Sequence, residues 1–511
     1  MENNNAPVGG LKRNIISNMC GQAILMVLSL VSTHLVFHKL GADVLGVIYF
    51  SLTVTFVLII LSDMGLSPTV TREIAAHRHN DSSYVSDLVG SSSVIAWIAY
   101  GSSCFLIVLF SPFLIKHWLQ IGTIGHHEAI ISFAIISAAL LLAIPRVVYG
   151  AIIAGHERMD MWNVANVAAV GVQQLGMIVV LALGGTLYAV AVWYGVSGIV
   201  GLVIFCAVAS RLSGISPWHL SFRSAVIRRN FHFGSRLFAN TMVGYLVGQV
   251  DKWIISKFLP ASTLGYYGVA QGLVSKGSMV PGTIAAAAFP ALSTGVGNKD
   301  RSGWMGQYLK LQDFTCYVYF PVTGAVAMLG IVVIRYVFNN EIAELIWRPL
   351  LLLAISQYAL GLLTVPFWLA VAFKRPDISL RTNIWALLLV VPITVVLVYR
   401  YGLIGAAASS VLYAAWQLFY FIPRFCSECL GTSALLWYRH AGTFSAIGLI
   451  AYGLPWIIAW TLGEGLTLMG LVSAYFVGTF AFTWIGWLQA GPGLQAAVRQ
   501  SVKVLKDDLG G

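Results

Sequence analysis

Residues 130–144 read IISFAIISAALLLAI, and this stretch indicates the fold. It contains no charged residue, and its apolar residues do not alternate with polar ones as they would in a membrane β-barrel. A helix rises about 1.5 Å per residue, so roughly 20 residues cross a hydrocarbon layer of about 30 Å. We therefore predict a membrane-spanning helix over residues 127–151.

The rest of the chain consists of similar apolar stretches with short connections. Hydrophobic residues make up 58% of the 511 residues and charged residues only 10%, whereas about 25% of the residues in a soluble domain are charged. The predicted fold is an all-α integral membrane protein with fourteen transmembrane helices. The predicted spans are 14–37, 44–65, 84–110, 127–151, 161–183, 187–210, 234–257, 265–290, 311–337, 345–372, 380–400, 403–425, 439–461 and 465–488.

Charge in the connecting loops predicts the orientation. Most of the 30 lysines and arginines lie on one side of the membrane if the N-terminus is placed in the cytoplasm, where basic loops concentrate. An even number of spans then places both termini in the cytoplasm. The net charge of +11 reflects this topology. No soluble basic domain is available for nucleic acid, so no such partner is expected. We interpret the basic loop 211–236 as an orientation signal and a contact with anionic membrane lipids.

Two short turns recur later in the chain at nearly the same offset. LGADVLGVIY (40–49) aligns with LPASTLGYYG (259–268), and GTLYA (185–189) aligns with GLIGA (402–406). Six predicted helices separate the copies, which gives them the same orientation, as in transporters built from parallel repeats. We therefore predict two six-helix lobes that rock around a central cavity. The predicted domains are an N-terminal lobe (1–210), a cytoplasmic inter-lobe loop (211–233), a C-terminal lobe (234–425), and two additional helices with a cytoplasmic tail (426–511).

Several motifs, in order and spacing, resemble those of one family. QVDKWIISKFL (249–259), followed by LGYYGVA (264–270), is similar to the seventh-helix signature of polysaccharide flippases in the multidrug/oligosaccharidyl-lipid/polysaccharide exporter superfamily. The other matching motifs are DMGL (63–66) with TREIA (71–75), RVVYG (146–150) with GHERM (155–159), and FPALS (289–293). The arginine-rich first-helix motif of the lipid II flippases was not found, which makes that branch a weaker match.

The resemblance implies a function. A member of this family moves a lipid-linked oligosaccharide, typically on an undecaprenyl-pyrophosphate carrier, from the inner to the outer leaflet of the cell (inner) membrane. It works by alternating access in the synthesis of cell-surface polysaccharide. The implied partners are this substrate, membrane lipids, and a polysaccharide polymerase or glycosyltransferases. No bond is made or broken, so we expect a transporter without a cofactor and not an enzyme.

Five polar residues within the predicted spans are candidates for substrate binding. A charge near the bilayer centre costs at least about 2.5 kcal/mol, so such residues usually face a cavity. Lys276 lies near the middle of the eighth predicted span and could bind a pyrophosphate or an acidic sugar; Lys252 and Arg146 could do the same. Gln249 and Gln271 could bind sugar hydroxyls. The alternatives are a structural ion pair or snorkelling for the lysines, an orientation signal for Arg146, and packing hydrogen bonds between helices for the glutamines.

Two aspartates are candidates for coupling transport to a proton or sodium gradient. Asp251 precedes Lys252, and adjacent residues on a helix point about 100° apart, so we expect the two side chains to face different surroundings. Asp251 could titrate, or it could be the structural partner of a nearby cation. Asp63 ends the second predicted span, where capping or loop structure is the default interpretation.

Two other functions are considered. A cation-coupled multidrug or metabolite antiporter could use the same scaffold, with an acidic rather than a basic cavity. A membrane glycosyltransferase or ligase would need an acid–base group at one membrane face, and the carboxylates predicted to lie outside are scattered. Cys426 and Cys429 form a Cys-x-x-Cys pair without a second pair, so no metal site is predicted.

Overall fold

The computed structural model describes residues 8–78, 81–215, 221–297, 301–463 and 467–489, and all of the regular secondary structure in these ranges is helical. The predicted cytoplasmic tail at 490–511 lies outside the described residues. The chain divides into two compact units, Met1–Tyr266 and Tyr267–Gly511. This division falls inside a helix and not in the loop 211–233, so the predicted lobe boundaries stay a prediction.

The helices of the first unit are α1 (Val8–Leu40), α2 (Ala42–Asp63), α3 (Leu66–His77), α4 (Ser82–Phe113), α5 (His126–Leu141), α6 (Ala143–Gly155), α7 (Met159–Ala182), α8 (Leu187–Ser213) and α9 (Ser224–Phe258). Helix α10 (Ala261–Gly277) crosses the boundary between the units. The helices of the second unit are α11 (Met279–Gly297), α12 (Arg301–Val337), α13 (Asn340–Leu362), α14 (Thr364–Ala372), α15 (Asp377–Phe425), α16 (Ala434–Thr461) and α17 (Leu468–Gln489). Single π-helical turns continue α4 over Leu114–Trp118 and α15 over Cys426–Leu430.

Ten helical segments in the described ranges are long and apolar enough to cross a membrane. One of them, Asp377–Leu430, contains two predicted spans, 380–400 and 403–425, which are separated by the turn at Gly402 (φ 56°, ψ −130°). Three predicted spans, the first, seventh and eighth, are not among the ten. The described side chains of α1 form an apolar helix over Ile24–Leu40, α9 carries several charges, and a break at Ser278 divides the eighth span into α10 and α11. The total of fourteen therefore stays a prediction.

Prolines break a spanning helix in each unit. Pro145 follows the junction of α5 and α6, and Pro366 follows the junction of α13 and α14. Because Pro366 has no N–H, it cannot bond to the carbonyl of Leu362, four residues earlier. The side-chain amide of Gln312 donates to that carbonyl instead, at 3.1 Å. The bond missing from the helix is thus replaced by a side chain.

The turns that follow α6 and α14 are constructed in the same way. Each contains a residue in the left-handed conformation, then an arginine that makes two hydrogen bonds to an aspartate two positions later. These residues are Glu157 (φ 61°), Arg158 and Asp160 in the first unit, and Lys374 (φ 60°), Arg375 and Asp377 in the second. The two turns are separated by the same offset as the aligned glycines Gly185 and Gly402.

The first turns of α2 and α10 touch backbone to backbone. A Cβ atom on Gly46 would lie 2.1 Å from the carbonyl oxygen of Ala261, and one on Gly265 would lie 2.8 Å from Cβ of Leu45. Gly46 and Gly265 are the two residues that the repeat alignment pairs. Glycine is needed at both positions because any side chain would separate the helices.

A loop after α4 holds this crossing in place. The carboxylate of Asp43, in the first turn of α2, accepts bonds from the backbone N–H groups of Gly122 (2.9 Å) and Thr123 (2.7 Å). The N–H of Ala261 donates to the carbonyl of Gln120 at 2.8 Å. One short loop therefore fixes the starts of both helices.

We expect Gly46→Ala to destabilise the protein by about 1–3 kcal/mol, because backbone atoms cannot move aside to admit the new methyl group. The matched control is Gly101→Ala in α4, where no described heavy atom lies within 4 Å of the added Cβ. Thermal unfolding of the purified protein in detergent measures both. Equal melting temperatures for the two variants would contradict the close crossing.

Candidate functional site

Arg146 is a half-buried cation inside a spanning segment. It lies in the first turn of α6, directly after Pro145, and its backbone N–H still bonds to Leu142 at 3.3 Å. Its guanidinium lies over the ring of Phe205, 5.6 Å from the centroid, and beside Gly201. Among the described residues it forms no ion pair. A half-buried, unneutralised guanidinium can attract an anion.

Lys276 is also free of a described partner. Its side chain is exposed, and no hydrogen bond or ion pair links it to the part of the chain that the structure describes. We placed it in the middle of a continuous eighth span, but α10 ends one residue later, at Gly277. The break at Ser278 puts Lys276 in the last helical turn, where a cation is also favoured by the helix dipole.

Asp251 and Lys252 form an ion pair, with Nζ of Lys252 3.2 Å from Oδ1 of Asp251. Both side chains are largely buried, and Nζ also donates to the carbonyl of Gly248 at 3.4 Å. The expectation that the two side chains face different surroundings is wrong, because the flexible four-carbon stem of lysine allows the ammonium to fold back onto its neighbour. The charge of Lys252 is therefore balanced.

The two candidate glutamines lie in different surroundings. Gln249 borders a small apolar cleft in the first unit, together with Phe56, Ile60 and Tyr245. Gln271 belongs to the second unit, and its side-chain oxygen is buried without a hydrogen-bond partner in the described structure. A buried amide oxygen that lacks a partner can accept a bond from a ligand or a water.

Asp63 has a structural role. It ends α2, and its Oδ1 accepts the backbone N–H of Ser67 at 3.1 Å, which satisfies a free donor in the first turn of α3. The chain reverses between the two helices through Met64 (φ 43°) and Gly65 (φ 77°), both in the left-handed region. This agrees with the capping interpretation, and an ion-coupling role stays a prediction.

A charged cluster surrounds α3. Glu73 is buried and accepts bonds from the hydroxyl of Tyr84 (2.8 Å) and from Nε of Arg72 (3.0 Å). Burial alone would raise the pKa of Glu73, but these two donors outweigh it, so the pKa is lowered. The guanidinium of Arg229, on α9, lies over the Tyr84 ring at 4.9 Å. These contacts join α3, α4 and α9.

The second unit contains an apolar cavity of about 380 Å³. Its walls come from α12, α13 and α16, with Leu418 of α15 and Leu471 of α17. Among the few polar side chains in the walls, Tyr358 pairs with Ser445 (3.3 Å), and Tyr452 pairs with Thr479 (2.9 Å). The sequence analysis missed this cavity because it depends on how five helices pack. The only sequence signal was the small residues Gly324, Gly448 and Gly453.

The described ranges contain no group of three or more His, Cys, Asp or Glu residues that could hold a metal ion. Cys426 and Cys429 are buried, unbridged thiols in the core of the second unit. The sequence analysis also did not single out the pair formed by Asp313 and His440, whose Oδ1 and Nδ1 lie 3.1 Å apart between α12 and α16.

The fold and these sites define a class: a multi-pass membrane protein built like known transporters. The lipid II flippase MurJ in an inward-closed conformation is similar, with a TM-score of 0.69 and 12% identity over 91% of this chain and 97% of that one. An inward-facing multidrug resistance transporter of the MATE family has a TM-score of 0.67 and 15% identity, over 80% of this chain and 96% of that one. At these identities the likeness establishes the fold.

The family follows from the sequence. A Shigella flexneri protein assigned as an O-antigen transporter is 23% identical over 420 residues, which cover 81% of this chain and 98% of that protein. Residues 11–296 match the model of the polysaccharide biosynthesis protein family, and the chain belongs to this family. It is a multi-pass membrane protein of a polysaccharide biosynthesis family, with a fold like that of known transporters.

We expect Glu73→Gln to lower the free energy of unfolding at pH 7 by about 1–2 kcal/mol, since it weakens two hydrogen bonds to a buried carboxylate. Because the folded-state pKa of Glu73 is lowered, its contribution is present at neutral pH and is lost as the pH falls below the ordinary value of 4.5. The difference in melting temperature between wild type and variant should therefore shrink between pH 7 and pH 4.

The control is Glu157→Gln. The side chain of Glu157 is 71% exposed and pairs with Arg78 at 2.9 Å, so its loss should cost less than about 1 kcal/mol. A melting-temperature difference for Glu73→Gln that is independent of pH would show that the carboxylate charge does not stabilise the cluster.

Proposed function

We propose that this protein moves a lipid-linked oligosaccharide, on an undecaprenyl-pyrophosphate carrier, from the cytoplasmic to the outer leaflet of the cell (inner) membrane. Transport occurs by alternating access between two lobes, and both termini lie in the cytoplasm. Family membership supports the glycan. The binding of an anionic head group is supported by the ion pairs of the candidate residues. Arg146 and Lys276 have no anionic partner among the described residues. Asp63 accepts a backbone N–H, and Asp251 pairs with Lys252.

The unpaired cations suit a phosphate-containing head group. A guanidinium or ammonium forms charge-assisted hydrogen bonds to phosphate oxygens, and these are stronger when water is excluded. Arg146 and Lys276 each act as an anion contact, Gln249 and Gln271 bind sugar hydroxyls, and Lys252 becomes available when it leaves Asp251. Asp251 and Asp63 are the candidate groups for coupling to an ion gradient.

The apolar cavity suits the other end of the substrate. Its volume of about 380 Å³ and its nearly unbroken hydrocarbon lining suit an apolar chain better than a sugar or a phosphate. In this proposal the cavity of the second unit accepts the lipid part of the substrate.

We expect Lys276→Ala and Arg146→Ala each to reduce transport about tenfold or more, because each removes a charge-assisted contact to the head group. Surface polysaccharide and the accumulation of lipid-linked oligosaccharide are measured in a deletion strain complemented at equal protein level. Lys116→Ala, which removes an exposed lysine after α4, is the matched control and should transport normally.

Normal surface polysaccharide in both variants would refute the anion contacts. The antiporter alternative is tested in the same strains: efflux of small amphipathic cations that depends on an ion gradient and on Asp251, with surface polysaccharide unaffected by deletion, would replace the flippase proposal.

Filling the apolar cavity should also reduce transport. Ala359 lines it, and Ala359→Phe would occupy space that the lipid chain needs, while Ala359→Gly leaves the cavity open. We expect several-fold less surface polysaccharide with the first variant and wild-type levels with the second, at equal amounts of membrane protein. Equal transport by the two variants would exclude this cavity from the pathway.

A further inference from the structure

Tryptophans border one end of the apolar cavity in the second unit. Trp347 of α13 and Trp456 of α16 both line the cavity, and their ring centroids lie 6.1 Å apart. The ring of Trp460, one turn after Trp456, lies 6.0 Å from that of Trp347. Trp347 lies near the start of α13, whereas the other two lie near the end of α16. Two helices therefore bring three indoles together at the same end of the cavity.

A cation lies on this group of tryptophans. The guanidinium of Arg348 lies over the ring of Trp347, 5.1 Å from its centroid. Glu344 lies one turn earlier on α13, at a spacing that favours an ion pair, but the two side chains form none. Arg348 is exposed, and no anion in the described ranges pairs with it. Its charge is therefore available to a ligand at this end of the cavity.

Two indole N–H groups add neutral donors beside the cation. Those of Trp347 and Trp460 have no hydrogen-bond acceptor in the part of the chain that the structure describes. Tryptophans are common where a spanning helix meets the lipid head groups, so their position alone indicates no site. These indoles, however, contact one another, border an apolar cavity and carry a guanidinium. Phosphate oxygens accept hydrogen bonds from both kinds of donor.

The cavity extends from the tryptophans along one face of α13. The lining residues on this helix recur at helical spacing, and they include Trp347, Leu351, Ile355, Tyr358 and Leu362. At 1.5 Å per residue, the rise from the first to the last is about 22 Å. An apolar chain can therefore lie along this face with its polar end next to the exposed arginine.

We propose that this end of the cavity is a phosphate site for the polyprenyl carrier at the outer face of the membrane. The chain lies in the cavity, and its phosphate contacts Arg348 and the indole N–H groups. The predicted topology places the start of the span 345–372 and the end of the span 439–461 at the outer face. Arg348 therefore contacts the phosphate after the head group has crossed the membrane. This inference rests on the proposed function.

Three lipids test the site on the full-length protein purified in detergent, with binding measured by native mass spectrometry. They are undecaprenyl pyrophosphate, undecaprenol, which has the same chain without phosphate, and phosphatidylglycerol, which has a phosphate on ordinary acyl chains. We expect Arg348→Gln to weaken binding of undecaprenyl pyrophosphate about three- to tenfold, because it removes a charge-assisted contact at an exposed position. Binding of undecaprenol should not change. Arg348→Lys, which keeps the charge, should lose less affinity than Arg348→Gln.

Arg400→Gln is the matched control. Arg400 is an exposed arginine of the same unit, at the predicted outer end of the span 380–400, and it does not line the cavity. Its variant should bind all three lipids as the wild type does. Unchanged binding of undecaprenyl pyrophosphate by Arg348→Gln, or an equal loss of phosphatidylglycerol binding, would overturn the carrier site and leave the flippase proposal standing. Failure of the wild-type protein to bind either undecaprenyl lipid would overturn both.

Discussion

The structure depends on one constraint: a polar group in hydrocarbon must find its partner within the protein. Hydroxyls in the spans follow it by bonding back along their own helix, as Ser51 does to Val47 (2.9 Å) and Thr53 to Tyr49 (2.8 Å). The ion pair of Asp251 and Lys252 satisfies the same constraint, because each charge is the partner of the other. Against this background, groups with no described partner are informative, because each one costs stability that packing elsewhere must offset.

The sequence predicted the spans well where apolar runs were long and uniform, since helix formation in a bilayer requires little more than length and hydrophobicity. It also predicted the tight turn at Gly402 through the repeat with Gly185. The break at Ser278 was not predicted, although Gly277 and Pro281 flank it and Pro281 has no N–H to bond to the carbonyl of Gly277. Lys276 therefore lies in the last turn of α10 and not in the middle of a continuous span.

The candidate site was predicted in parts. Residue type and its place in an apolar run identified Arg146 as a candidate cation, but its lack of a carboxylate partner among the described residues depends on which helices pack against α6. The ion pair of Asp251 and Lys252 was missed because spacing on a helix gives the direction of the Cα–Cβ bond and not that of a long side chain. The apolar cavity could not be predicted, since it combines residues from helices far apart in sequence.

The replacement bond between Gln312 and the carbonyl of Leu362 has a mechanical consequence. An ordinary helix resists bending because its backbone bonds lengthen together. At the junction of α13 and α14, the proline has already removed one of these bonds, and an amide on a flexible side chain can follow the carbonyl through a range of angles. The helix can therefore bend at this junction at low energetic cost, because the carbonyl of Leu362 keeps a hydrogen-bond donor as it bends.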